Sequence, residues 1–251
     1  MRRLTLNTLF LLLALLCGAT CSYAAISVNH AQTFGPTSTG GSPNSYTFAP
    51  TSTTGNLIVC IISTNGNGTG VVFSSMTDNG SGGANTYTDV GSTATLTSQG
   101  TTYIKYAKAA HTAVTSVTIT TTGASAGNTI GIGWYDLSGA DTSAPFGVAG
   151  ALSNQTASTT PSGPNVNATT TGGIIVSGLR GSVFPNTVNT TGSFTFVGEP
   201  ASTQDGFAYL LNSSTGSQGP SWTQSSSATW MGLTASFKAP TAAATRPPAV
   251  F

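Results

Sequence analysis

Leu57-Ile58-Val59-Cys60-Ile61-Ile62 is an unbroken apolar run, entered through Gly55-Asn56 and dominated by β-branched side chains. A short run of this composition without alternation reads as a strand covered on both sides. Ile174-Ile175-Val176 repeats the pattern. In Ser116-Val117-Thr118-Ile119-Thr120, by contrast, valine and isoleucine share one face and hydroxyls take the other, the mark of a half-buried antiparallel strand. Working outward, similar short runs fall at Ile26 to Thr33, Ser45 to Phe48, Leu57 to Ser63, Val71 to Met76, Thr86 to Val90, Thr93 to Thr97 and Thr102 to Lys108. They continue at Ser116 to Thr121, Thr129 to Leu137, Ile174 to Leu179, Phe194 to Val197, Gly206 to Leu211 and Thr229 to Phe237. Clusters of Gly, Asn, Ser and Pro separate them, and no amphipathic helix of useful length appears after residue 24.

The fold class expected is therefore all-β: an antiparallel two-sheet β-sandwich with jelly-roll or Greek-key connections. Residues 150 to 170 form the longest stretch without a strand signal and read as a crossover inside one domain, because each flank alone looks incomplete as a sandwich. A faint internal echo joins the flanks. Gly55 to Val59 is matched by Gly172 to Val176, Tyr103 to Ala107 by Gly206 to Leu210, and Ile132 to Leu137 by Thr229 to Leu233, in the same order. This hints at pseudo-duplication, with chance likeness between strands of similar composition as the competing explanation.

Met1-Arg2-Arg3, the apolar run Leu9 to Cys17 and the small-residue exit Ser22-Tyr23-Ala24-Ala25 have the three-part layout of a secretory signal peptide cleaved after Ala24. The apolar run is short of the roughly 20 residues that a spanning helix needs. Expected boundaries are a leader over 1–24, one β-sandwich domain over 25–239 and a disordered Ala-, Thr- and Pro-rich tail over 240–251. Cys17 and Cys21 would leave with the leader, so Cys60 remains as a lone thiol and reads as a small buried hydrophobe.

Only 5% of residues are charged, against about 25% in an average soluble protein. Without Arg2 and Arg3, five bases (Lys105, Lys108, Arg180, Lys238, Arg246) face six acids. No basic patch exists for phosphates, which argues against nucleic acid as a partner. With 38% apolar residues in regular runs the chain is not a disordered polar tract, and its exterior must be solvated by hydroxyls and amides.

Several landmarks occur in a fixed order: Gly55 to Val59; Thr77-Asp78-Asn79 with Asn85-Thr86-Tyr87-Thr88; Tyr103 to Ala109 with Tyr106-Ala107-Lys108; Trp134-Tyr135-Asp136-Leu137-Ser138-Gly139; and Ala235-Ser236-Phe237-Lys238. Over about Ser45 to Lys238 the chain resembles a family of poorly characterised jelly-roll-like β-sandwich modules found in secreted bacterial proteins. The resemblance implies a sandwich fold and an extracellular setting, and it brings no catalytic residues. Where those modules often carry Glu-Tyr before Ser-Gly, this chain has Tyr135-Asp136.

Among candidate sites, the polar loop from Asp78 to Asn85 offers Asp78, Asn79 and Asn85, with Asp89 beyond it, as oxygen ligands for calcium. The same residues suit a hairpin loop, which is the first reading. Glu199 and Asp205 are the one local pair of acids that a glycan-cleaving mechanism could use, and they read more simply as solvated turn residues. His30 and His111 lack the spacing of a triad or a zinc site. Trp134 and Trp230 lie in apolar strands and read as core. Trp222, in Gly219-Pro220-Ser221-Trp222-Thr223-Gln224, lies in a polar loop; a structural place is its first reading, and it is the one residue singled out for ligand contact. The expected function is a secreted or cell-surface, non-catalytic adhesive or glycan-binding module, with extracellular glycans or other surface proteins as partners and no membrane span after cleavage. A self-associating structural or matrix subunit and a glycan-active enzyme are the alternatives.

Overall fold

Seventeen strands and no helix make up the residues described in the computed structural model, namely 25–37, 43–64, 71–108, 113–123, 129–182, 188–191, 193–200, 204–212 and 214–241. The expected leader, His111 and the tail from residue 242 lie outside these residues. Every strand pairing is antiparallel, so the all-β expectation holds. Ala24–Pro240 cluster as one compact unit.

The first half of this unit holds β1 (Ser27–Phe34), β2 (Asn44–Phe48), β3 (Leu57–Ser63), β4 (Val72–Asp78), β5 (Thr88–Leu96), β6 (Gly100–Ala107), β7 (Val117–Thr122) and β8 (Gly131–Ser138). They form a five-stranded sheet, β1-β8-β3-β6-β5, and a three-stranded sheet, β2-β7-β4. The second half holds β9 (Phe146–Ser158), β10 (Val166–Ala168), β11 (Gly173–Gly181), β12 (Val188–Thr191), β13 (Thr195–Gly198), β14 (Asp205–Asn212), β15 (Gly216–Gln218), β16 (Ser221–Gln224) and β17 (Ala228–Phe237). Its five-stranded sheet runs β9-β17-β11-β14-β13, beside two ribbons, β10-β15 and β12-β16.

The two halves thus share one pairing plan. In each, the first, last, third, sixth and fifth strands form the large sheet in that order, and the second and fourth flank the seventh. The seventh place is filled by β7 in the first half and by β15 plus β16 in the second, where Gly219-Pro220 interrupts the strand. Register supports the correspondence. Ile58 pairs Ala107 and Val59 pairs Tyr106, while Ile175 pairs Leu210 and Val176 pairs Tyr209. These are the residues aligned by the first two elements of the sequence echo. The third element identified the right strand in the wrong register, since Leu57 pairs Leu137 while its counterpart Ile174 pairs Phe237.

Alternation along the two central strands divides the apolar residues among three cores. Leu57, Val59 and Ile61 of β3 meet Ile174 and Val176 of β11 in a core between the two five-stranded sheets, with Tyr135, Leu137, Phe207, Leu233 and Phe237. Ile58, Cys60 and Ile62 point the other way, toward Tyr46, Phe48, Val117, Ile119 and Trp134. Ile175 and Leu179 of β11 likewise turn outward, to Val166, Phe194, Ala208, Trp222 and Trp230. Hence β3 and β11 are buried along their whole length, as their unbroken apolar runs demand. Glycines let the large sheets approach: a Cβ on Gly133 would lie 2.8 Å from the Phe207 ring, and one on Gly178 2.9 Å from Ile61. Tyr135 donates its hydroxyl to the Ala208 carbonyl across this central core at 3.2 Å.

The sequence reading of residues 150 to 170 is corrected here. Phe146–Ser158 is the longest strand of the fold, at 13 residues. It gave no signal because it is an edge strand, nowhere fully buried, built largely from Gly, Ala, Ser and Asn, so no apolar alternation is required of it. Thr86 to Val90 and Thr93 to Thr97, read as two strands, are largely one strand, β5, whose pairing is irregular between Asp89 and Thr93.

Candidate functional site

The scarce charges decide what chemistry is open to the chain. Asp78 ends β4 and accepts four hydrogen bonds: from the amides of Gly80 (3.0 Å) and Asn85 (3.1 Å), the Asn85 side chain (2.8 Å) and the Tyr87 hydroxyl (2.6 Å). Partial burial works to raise its pKa. The bonds from Tyr87, Asn85 and Gly80 outweigh that and hold the carboxyl below its ordinary 3.8. Asn79 turns elsewhere, accepting from the amides of Thr115 (3.0 Å) and Ser116 (2.9 Å). Asp89 accepts from the Gly91 amide and pairs with Lys105, whose ammonium lies 4.4 Å from the Phe73 ring centroid. The four residues considered for calcium therefore do not converge. The loop is no hairpin, since β4 and β5 belong to different sheets: Asp78 and Asn85 hold this crossing to itself, Asn79 ties it to the start of β7, and Asp89 serves β6. Among the described residues no group of three or more His, Cys, Asp and Glu is placed to hold a metal.

A lowered pKa makes the Asp78 contribution to stability present above the unfolded value near 3.8 and lost as pH falls through the lower folded value. Replacing Tyr87 with Phe removes one charge-assisted bond, an expected loss of about 1–2 kcal/mol near neutrality. Urea titrations at pH 7 and pH 3 check this: the gap between wild type and Y87F should narrow at the lower pH, as the carboxyl protonates.

The acids considered for glycoside cleavage are equally committed. Asp205 is fully buried and receives Arg180 Nη1 on both carboxylate oxygens at 3.1 Å, while Arg180 Nη2 donates to Gln204 at 3.0 Å. This ion pair closes one end of the central core; a Cβ on Gly131 would lie 2.2 Å from Asp205 Oδ2. Glu199 is half-buried in the connection between β13 and β14. Asp205 is therefore no solvated turn residue; it pairs across β14 and β11 with the arginine directly opposite it in register.

One constellation escaped the sequence reading. His30 Nδ1 donates to Asp136 Oδ2 at 3.0 Å, and Asn56 Nδ2 donates to Oδ1 of the same buried carboxylate at 2.7 Å. His30 and Asp136 are cross-strand partners on β1 and β8, and their separation of 106 residues gave no local signal. The pair fastens the edge strand β1 to β8. Cys60 faces the first-half core, where burial pushes its thiol pKa well up, and so is no nucleophile.

Trp222 also departs from expectation. It lies on β16 with 1% exposure, packed in the second-half core, so it presents no open ring for a ligand. Its polar neighbours misled because β16 pairs with β12 and with the segment before β10: Trp222 donates its amide to the Pro161 carbonyl at 2.8 Å.

A hollow open to solvent lies nearby, at the edge of the second-half core. It has a volume of about 430 Å³ and is lined by Leu152, Gln155, Thr156, Ala157 and Ser158 of β9, by Thr160, Pro161 and Ser162, and by Trp230 of β17. Its cause is local. On either side of the Gln155–Trp230 pair, β9 carries one residue more than β17, and Asn154 adopts a left-handed φ of 49°. Such bulges lift an edge strand and re-aim its side chains. The bulge also turns Ser153 and Asn154 toward β5, where they accept the amides of Thr95 (2.9 Å) and Thr97 (2.7 Å). Comparison with family models, curated proteins and solved structures gives no match to this chain.

Proposed function

We propose that this chain is an exported, non-catalytic module that binds extracellular glycan. The observation that carries the reading is the commitment of its charges: Asp78, Asp89, Asp136, Asp141 and Asp205 each accept hydrogen bonds from fixed protein donors. Acid–base cleavage of a glycosidic bond needs two carboxyls facing each other across the sugar, one of them free to trade a proton. Asp205, the acid the enzyme reading relied on, is instead locked against Arg180 away from water. Binding needs no such group, and a hollow of about 430 Å³ edged by hydroxyls and an amide is within the range of small-ligand sites.

The architecture supporting this reading is a jelly-roll-like sandwich in each half, the two joined back to back through their five-stranded sheets. Support comes from the repeated pairing plan and from an apolar core on each side of both central strands. The leader signature over residues 1–24 supports export.

Incubation of the purified protein with a polysaccharide panel tests the function, reading retention on the polymer and release of reducing ends together. Retention without release is expected. Release of reducing ends would contradict the non-catalytic reading, and failure to bind any glycan would contradict the rest. A second reading, a self-associating matrix subunit, is favoured by the outer face of β2-β7-β4, where Thr47, Thr118 and Thr77 form one row in register and Ser45, Thr120 and Ser75 the next. Sedimentation equilibrium distinguishes it, since a binder of this kind stays monomeric at concentrations where a matrix subunit assembles.

A further inference from the structure

We infer that the hollow between β9 and residues 160–162 takes a chain of uncharged sugar residues, and that it does so without calcium. This rests on the glycan-binding reading and names the site and the class of glycan. The lining has the two characters a sugar ring presents. Gln155, Thr156, Ser158, Thr160 and Ser162 carry groups that both donate and accept, suited to hydroxyls on a ring edge. Leu152 and Ala157 supply apolar surface for the C–H face, above the buried Pro161 and Trp230. The Gln155 side chain is already oriented, its Nε2 donating to the Ser153 carbonyl at 2.8 Å, which reduces the ordering that binding would otherwise require.

Charge decides between glycan classes. No Lys, Arg, His, Asp or Glu lines the hollow. A uronate carboxylate or a sulfate placed there would give up water without a countercharge, an unfavourable transfer. Three basic side chains are occupied elsewhere: Lys105 by Asp89, Lys108 by the Ser143 carbonyl and Arg180 by Asp205. The absence of a carboxylate in the lining likewise removes the ligands a bridging calcium ion would use. The hollow is open to solvent rather than enclosed, so a polymer can lie across it without having to end in it.

The test measures affinity for neutral polysaccharides (a β-glucan, a xylan, a galactomannan) beside anionic ones (a polygalacturonate, an alginate), with calcium and with chelator. Wild type is compared with Thr156→Trp, which fills the hollow from an exposed position, with Gln155→Ala, and with Thr54→Trp at an exposed position between β2 and β3 as a control. Expected is binding to at least one neutral polymer, unchanged by chelator, weakened 10-fold or more by T156W and roughly 3- to 10-fold by Q155A, the latter corresponding to one hydrogen bond. T54W should bind as wild type does. Neutral-glycan binding that survives both T156W and Q155A would leave the glycan reading standing and overturn the assignment of this hollow. Binding confined to anionic polymers, or abolished by chelator, would overturn the uncharged, calcium-free class. Binding to none of the panel would overturn both readings.

Discussion

Replacing Asp205 with alanine should destabilise the protein by about 3–5 kcal/mol, because it leaves the Arg180 guanidinium buried without a counterion. Neither residue has measurable exposure, and two of the three bonds that hold the guanidinium go to Asp205. Its Nε has no acceptor, so little remains to satisfy the charge once the carboxylate is gone. Against a typical margin of 5–15 kcal/mol the loss is a large fraction of the whole. Chemical denaturation reads it directly. The double variant R180M/D205L, which replaces the pair with apolar side chains, should recover most of the stability, since an unpaired buried charge costs more than an absent pair. Equal loss in the single and double variants would mean that packing, not charge, dominates at this position.

The second large effect is expected when the halves are separated. A chain ending in the 139–145 connection and a chain beginning there should each fail to fold alone, although each contains a complete set of strands for its own pairing plan. The reason lies in the central core. Leu57, Val59, Ile61, Tyr135 and Leu137 on one side and Ile174, Val176, Phe207, Leu233 and Phe237 on the other belong to one core, which separation would open to water. Each aliphatic side chain left in water forgoes about 1.5–3 kcal/mol, so a handful exceeds the stability of a domain. Bonds across the junction vanish too: Ile26 donates its amide to Gly172 at 2.8 Å, Asp141 to Lys238 at 2.9 Å, and Thr95 and Thr97 to the β9 side chains. Circular dichroism and solubility of the separate halves, then of the two mixed after co-refolding, check this. Recovery of native dichroism only on mixing is the expected outcome.

What the sequence disclosed followed from where apolar side chains are forced to sit. The unbroken runs Leu57 to Ile62 and Ile174 to Val176 announced strands with both faces covered, and the alternation through Ser116 to Thr120 announced β7, because burial leaves no choice at those positions. Strands whose stability comes from ladder bonds at an edge carry no such constraint. Hence β9 carries no strand signal over residues 150 to 158, and the short β12, β15 and β16 form no apolar run. Trp222 is illegible for the same reason: Gly219-Pro220 and polar neighbours signal a turn, while the burial of its indole depends on Val166, Ile175 and Ala208 and on the segment before β10, all distant in sequence. The charged pairs were illegible because sequence proximity does not report register. His30 with Asp136 and Arg180 with Asp205 meet only once β1 lies on β8 and β14 on β11. The candidate hollow depended on two bulges in a strand that the sequence did not signal, so no residue pattern pointed to it in advance.

Native-state hydrogen exchange followed by mass spectrometry tests the shared central core most directly. Amides of β3 and β11 should exchange together in the slowest class, with closely similar opening free energies that fall in parallel as denaturant is added. If β11 and its neighbours opened at a free energy well below that of β3, or the reverse, the halves would be independent units and this account of how the chain is held together would be contradicted.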